Sequence, residues 1–184
     1  MLFESRLELN VLYVLLASGD VIDLWEQPPS VTYYDANGKR RNHFFDFLIQ
    51  RASGRRVAIA VKPAKIAQSE GFADELCFIR QAVSKNFADD VRLVTDQCFL
   101  RAEAINAERY FDFARYRSAD VADQLHQVLE TISFPTTIAE LSQKLNAGGQ
   151  GFRAVFLAIY EGQLNADKTS IINLQTAVYA GGVQ

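Results

Sequence analysis

One carboxylate, Asp46, interrupts the apolar run His43-Phe44-Phe45-Asp46-Phe47-Leu48-Ile49, and one ammonium, Lys62, ends the next run, Val57-Ala58-Ile59-Ala60-Val61. A carboxylate taken out of water is costly unless a cation or hydrogen-bond donors meet it. Two neighbouring strands that carry an Asp and a Lys therefore read as a site. Side-chain alternation puts Phe44, Asp46 and Leu48 on one face of the first run, and Ala58, Ala60 and Lys62 on one face of the second. A hairpin register that joins these faces brings Asp46 and Lys62 together with Ala60 between them. Glu8, on an amino-terminal segment of helical spacing, can add a second carboxylate. An Asp, a Glu and a Lys around one point can hold a divalent ion and orient a water. They can also stabilise an attacking hydroxide or the charge that develops on phosphorus. Plainer roles compete: a solvated helix charge for Glu8, an ion pair with an arginine for Asp46, a strand-end cap for Lys62.

The elements that must position these groups follow from local pattern. Residues 4–17 carry Leu7, Val11, Leu12, Val14, Leu15 and Leu16 at helical spacing, with Glu4 and Glu8 one turn apart, and Ser18-Gly19-Asp20 ends the helix. Val21, Ile22 and Leu24 lead to Glu26-Gln27-Pro28-Pro29, a turn or edge. Val31–Tyr34 reads as a strand and Asp35-Ala36-Asn37-Gly38 as a hairpin turn. The Asp46 strand, the turn at Ala52–Arg55 and the strand ending at Lys62 complete a three-stranded antiparallel meander, with Phe44, Phe45 and Phe47 as core. Beyond Pro63, residues 66–86 read as one helix with Ile66, Phe72, Leu76, Ile79 and Val83 as its apolar stripe. Val91–Thr95 is a strand returning beside the Lys62 strand, and a helix from Ala102 to Tyr116 completes the unit. The expected architecture is α/β, a mixed sheet flanked by helices, over residues 1–116.

A second unit, residues 117–184, begins with a helix at 118–132. Thr137 and Glu140 form a capping box for the next helix. Asn146–Gly151 is a turn, 152–161 a third helix ended by Gly162, and 171–174 and 176–179 two short strands. Three helices and a terminal hairpin are the layout of a small winged helix-turn-helix domain. The glycines at 148–151 lack the Lys-Ser/Thr of a phosphate loop and read as the interhelical turn.

Charge distribution says more than the net charge of −3. Between Lys39 and Lys65 the only acid is Asp46, against Lys39, Arg40, Arg41, Arg51, Arg55, Arg56, Lys62 and Lys65. Such a field suits a phosphate backbone, and Lys39, Arg40, Arg41, Arg55, Arg56 and Lys65 are the expected DNA contacts. A set of solvated hairpin turns is the plainer reading. Beyond Arg115 the balance reverses, so the second unit is expected to bind protein rather than DNA. Cys77 and Cys98 are isolated and expected as buried free thiols in a reducing cytoplasm. The two histidines make a zinc cluster improbable. No apolar stretch approaches the length of a membrane helix, and the amino terminus carries no signal-peptide pattern.

Taken together, these motifs resemble the TnsA-like transposon endonucleases of the PD-(D/E)xK superfamily. Phe3-Glu4-Ser5-Arg6-Leu7-Glu8 is similar to that family's opening helix, whose second Glu is catalytic. Trp25-Glu26-Gln27-Pro28 resembles its Glu-Gln-Pro turn, and Asn37–Arg41 followed by Asp46-Phe47-Leu48 its Asp-bearing hairpin. Ala60-Val61-Lys62-Pro63 stands where the family has Glu/Gln-x-Lys-Pro. Leu157–Leu164, Asp167 and Thr176–Tyr179 are similar to its second domain. The resemblance implies a restriction-endonuclease-like fold and Mg2+-dependent hydrolysis of a DNA phosphodiester at a transposon end, with Mn2+ as a substitute ion. It also implies a transposase subunit and an AAA+ regulator as partners. Asp46 and Glu8 are the implied metal ligands and Lys62 the water-orienting cation. Ala60 departs from the pattern, because methyl cannot ligate a metal. Three explanations stand open: a scaffold kept only for binding, a ligand moved to Glu70, Glu26 or a backbone carbonyl with water, or a deliberate Glu→Ala exchange.

Overall fold

The computed structural model describes residues 5–182. Phe3 and Glu4 of the opening motif lie outside them. The chain forms two compact units that divide between Leu100 and Arg101.

The first unit begins with helix α1 (Arg6–Leu16), whose amino end is capped by Ser5: the Ser5 Oγ accepts from the Glu8 amide and donates to the Glu8 carboxylate at 2.8 Å. Strand β1 (Val21–Glu26) follows, then β2 (Val31–Tyr34), β3 (Arg40–His43), β4 (Phe47–Arg51) and β5 (Arg56–Val61). Helices α2 (Ala64–Ser69) and α3 (Phe72–Ala82) lead to β6 (Asp90–Val94). Strands β1, β4, β5 and β6 form one sheet in that order, with β6 parallel to β5 and the other pairs antiparallel. The parallel return after a helical crossover is as the apolar run at 91–95 predicts.

The expected meander is corrected. Strands β2 and β3 form a separate two-stranded ribbon, and β4 pairs with β1 instead of with β2. The run from His43 to Ile49 is not one strand, because it bends at residues 44–46 and passes from ribbon to sheet. Side-chain alternation then sorts β4 and β5 as expected. Leu48, Ala58 and Ala60 face the core under α2 and α3, whereas Phe47, Ile49, Val57 and Ile59 face the core under α1. The sheet is thus mixed and flanked by helices, which fits a restriction-endonuclease-like fold.

The single helix expected over 66–86 is two, because Gly71 takes a left-handed φ of 62° between them. The break turns Ile66 out to solvent, and Ala67 takes its place in the core. Cys77 and Cys98 are both exposed, against expectation: Cys77 falls on the outer side of α3, off the stripe formed by Phe72, Leu76 and Ile79.

The second unit starts earlier than the 116/117 boundary suggests. It comprises α4 (Arg101–Ala114), α5 (Ala119–Leu129), β7 (Thr136–Thr137), α6 (Ile138–Leu145), α7 (Gly149–Tyr160), β8 (Leu164–Asn165) and β9 (Ala177–Ala180). Helix α4 packs here through Tyr110 and Phe113, with Tyr110 stacked on Tyr160 at 4.7 Å and Phe113 edge-on to Phe156 at 5.2 Å. Asn106, 0 % exposed, donates to the carbonyls of Lys168 and Ser170 and accepts from the Ile172 amide. The capping box of Thr137 and Glu140 forms as predicted. The strand expected at 171–174 does not form: those residues follow α4, and Leu164–Asn165 pairs with β9 in its place. The three short strands lie in the order β7-β9-β8.

Candidate functional site

Asp46 sits in the bend between ribbon and sheet, where the backbone holds it from several sides. Its amide donates to the Ile59 carbonyl at 3.0 Å, and its carbonyl accepts from the Gln27 amide at 2.9 Å. Gln27 itself adopts a left-handed φ of 45°, so the Glu26-Gln27-Pro28-Pro29 turn is bent toward Asp46. The Asp46 Oδ2 accepts from the Val61 amide at 2.6 Å. A short hydrogen bond to an ionised oxygen is among the stronger kinds. It fixes one carboxylate oxygen against the carboxyl end of β5. The β4–β5 register ends with Phe47 opposite Ile59, and Asp46 lies in the bend just before it, its amide on the same Ile59 carbonyl and its carboxylate on the Val61 amide.

Asp46, Ala60 and Lys62 line one cavity of about 350 Å3. Its other walls come from elements that the sequence suggests but does not assign to the site. Tyr33, Asn42, His43 and Phe44 enter from the ribbon, and Phe72 and Glu75 from the first turn of α3. Phe44 is 71 % exposed at this rim, although the apolar run places it in the core; the bend at 44–46 turns it outward while Phe45 and Phe47 stay buried.

Lys62 is drawn to two neighbours. Its Nζ lies 3.1 Å from Glu70 Oε2 and 4.9 Å from the centre of the Phe72 ring. The ring face attracts the ammonium, and Glu70 neutralises it. Glu8 is not among the cavity residues. It lies on α1, whose core faces the other side of the sheet, and its carboxylate accepts from the Ser5 hydroxyl.

His43 packs edge-on against Phe45 at 4.6 Å, and burial pushes its pKa below the usual 6.5, with Glu75 opposing and Lys62 reinforcing the shift. Its Nε2 is buried and has no hydrogen-bond partner among the described residues. The Tyr33 hydroxyl donates to the Glu75 carboxylate. Burial first, and that carboxylate second, push the Tyr33 pKa up to about 12, which keeps it a donor. Tyr33, His43 and Glu75 were invisible as site residues in the sequence. The one local sign is that Phe72 and Glu75 are three apart on a helix and so share a face.

The donor set can be set against a divalent ion. Magnesium-like ions are commonly held by one or two carboxylates together with several waters. Asp46 and Glu75 supply two carboxylates to the cavity, and the unpartnered His43 nitrogen is in the same wall. The volume equals that of about twelve waters at roughly 30 Å3 each, room for a hydrated ion. Among the described residues no three of His, Cys, Asp and Glu gather closely enough to enclose an ion by themselves. The residues therefore suit a hydrated ion better than a fully dehydrated one.

The expected phosphate contacts divide. Lys39 and Arg40 are exposed at the far end of the ribbon that begins at the cavity, and Arg41 pairs with Asp35 at 3.1 Å. Lys65 is exposed on α2. Arg55 and Arg56 lie at the opposite end of β5 from Lys62, about 20 Å along the strand for Arg56 at 3.3 Å per residue. Arg56 is also occupied with the Asn86 carbonyl at 2.5 Å. These two arginines do not flank the cavity.

A larger cavity, about 600 Å3, lies in the second unit. Its two guanidinium groups are engaged, Arg109 with the Ile172 carbonyl and Arg153 over the Phe113 ring, and no carboxylate among the described residues lines it. Of these two cavities, only the Asp46 one brings acid and base together. A family model described as TnsA-like endonuclease N terminal matches residues 18–114. No curated protein matches the chain.

Proposed function

The chain belongs to the TnsA-like endonucleases, and from that premise we propose that it is a DNA endonuclease subunit of a heteromeric transposase. Its hydrolytic site is the Asp46 cavity, incomplete at position 60. The observation that carries this reading is the meeting of Asp46, Ala60 and Lys62 in one cavity.

In hydrolysis a water oxygen bonds to phosphorus, the bridging P–O bond breaks, and the departing sugar oxygen takes up a proton. A divalent ion, Mg2+ or Mn2+, supplies Lewis-acid polarisation and a lower water pKa when bound. Asp46, pinned by the Val61 amide, is the principal ligand for it. Lys62 stabilises charge on the phosphoryl oxygens once a phosphate displaces Glu70 from its ammonium. Glu8, the second carboxylate that the family pattern implies, lies outside this cavity. Lys39 and Arg40 hold DNA backbone without reading sequence, and Arg41 and Lys65 add to that field.

A second reading is a catalytically inactive nuclease scaffold that binds DNA or the transposase. Ala60 and the neutralised Lys62 favour it.

Residues 117–184 are read as a winged helix-turn-helix that docks protein, a transposase subunit or an AAA+ regulator. Helix α7 supports this: from Gly151 to Ile159 only Arg153 is exposed, so little of it is free to enter a DNA groove. No described helix is long and apolar enough to cross a membrane.

Supercoiled plasmid with magnesium or manganese tests the enzyme reading. Weak or absent nicking by the chain itself, nicking restored by Ala60→Glu, and loss of that gain when Asp46→Ala is added are expected. No nicking by any version would favour the scaffold.

A further inference from the structure

We propose that Glu75, from α3, supplies the carboxylate that position 60 lacks and shares the ion with Asp46. This rests on the endonuclease reading above. The methyl of Ala60 leaves open the space beside Asp46 that a longer acidic side chain would fill. Of the acids that could serve instead, Glu70 does not line the cavity. Glu26 lies in β1 opposite Phe47, outside the lining residues. Glu75 does line it, one helical turn from Phe72, over whose ring the Lys62 ammonium rests.

Its orientation is fixed from outside. The buried Tyr33 hydroxyl donates to Oε1 of Glu75. A carboxylate carries two oxygens and about four lone-pair sites, so this bond leaves acceptor capacity for an ion or its waters. Carboxylates that ligate metals are themselves commonly held by hydrogen bonds from outside the site. Tyr33 is thus a positioning residue and Glu75 a ligand. His43, in the same wall, carries a buried Nε2 with no hydrogen-bond partner among the described residues.

Manganese binding to the full chain, followed by electron paramagnetic resonance, tests this beside plasmid nicking. Glu75→Gln keeps an acceptor for Tyr33 and removes only charge; circular dichroism checks the fold. Mn2+ affinity should fall at least about tenfold, and Tyr33→Phe should cost about as much as outer-shell changes do, also near tenfold. Adding Ala60→Glu to Glu75→Gln should restore binding. If Glu75→Gln binds Mn2+ like the parent while Asp46→Ala does not, the assignment of Glu75 is overturned and the endonuclease reading stands. A parent chain that binds no Mn2+ also overturns it. If Ala60→Glu, too, neither binds nor nicks, the endonuclease reading fails as well.

Discussion

At the scale of single residues, the chemistry depends on how firmly Asp46 and Lys62 are held. Asp46 is fixed through its amide, its carbonyl and one carboxylate oxygen. Lys62 is held loosely, by a half-exposed Glu70 and an aromatic face. An ion pair this exposed contributes about 0–1 kcal/mol, so a phosphate can replace Glu70 at little cost. With Ala60→Glu as the active background, Lys62→Met keeps the stem over Phe72 and deletes the charge. Nicking rate should fall about 100-fold or more, since a preorganised charge donor is worth that much, while Mn2+ affinity changes little. Single-turnover nicking and manganese titration on the same protein separate the two effects. Asp46 and Lys62 were legible in the sequence because ionised groups in apolar strands are conspicuous. Glu75, Tyr33 and His43 were not, because nothing local joins them: they meet only when α3 and the ribbon close over the sheet.

At the scale of elements, alternation along β4 and β5 carried correctly from sequence to structure, while continuity did not. The apolar run through Asp46 has no proline or glycine to announce its bend, so it reads as one strand; only the different partners of β3 and β4 divide it. Gly71 had the opposite effect, a visible break inside a pattern long enough to pass for a single helix. The ribbon now sets which cations can reach DNA. Lys39→Ala with Arg40→Ala should weaken binding to any sequence and reduce the slope of log affinity against log salt by about 2, one for each phosphate left without its cation. Arg55→Ala, at the far end of β5, should leave the slope unchanged. Filter binding over a salt series measures both.

The cap of α6 gives a pH dependence of known sign. The Thr136 hydroxyl first, then the Thr137 amide, hold the Glu140 carboxyl below its usual 4.5. The folded state therefore binds this proton less readily than the unfolded one. Stability from this group is full above pH 4.5 and is lost as pH falls through the lower folded-state value. Urea unfolding of the parent and of Glu140→Gln should converge as pH drops from 6 to 3, and a constant gap would refute the assignment.

At the scale of the whole chain, two compact units have formed, and the helix at 101–114 belongs to the second. The family match runs to residue 114, yet α4 gives Tyr110, Phe113 and the buried Asn106 to the carboxyl-terminal unit. The sequence places the boundary after this helix because the helix reads as the last element flanking the mixed sheet, close to where the charge balance reverses beyond Arg115. Charge marks surfaces, whereas the boundary follows aromatic burial and an amide with three backbone partners. Residues 101–184 should therefore fold alone with a cooperative thermal transition. Residues 117–184, with the Asn106 partners and α7 aromatics stripped of cover, should not. Circular dichroism melts of the two fragments decide this.

The nuclease reading stands or falls on a divalent ion working in the cavity between Asp46, position 60 and α3. Iron(II) placed in magnesium's stead generates hydroxyl radicals that cut the polypeptide beside the ion. Backbone cuts are expected near residues 46, 60–62 and 75, suppressed by excess magnesium and lost in Asp46→Ala. Cuts confined to other segments, or cuts that persist unchanged without the Asp46 carboxylate, would contradict it.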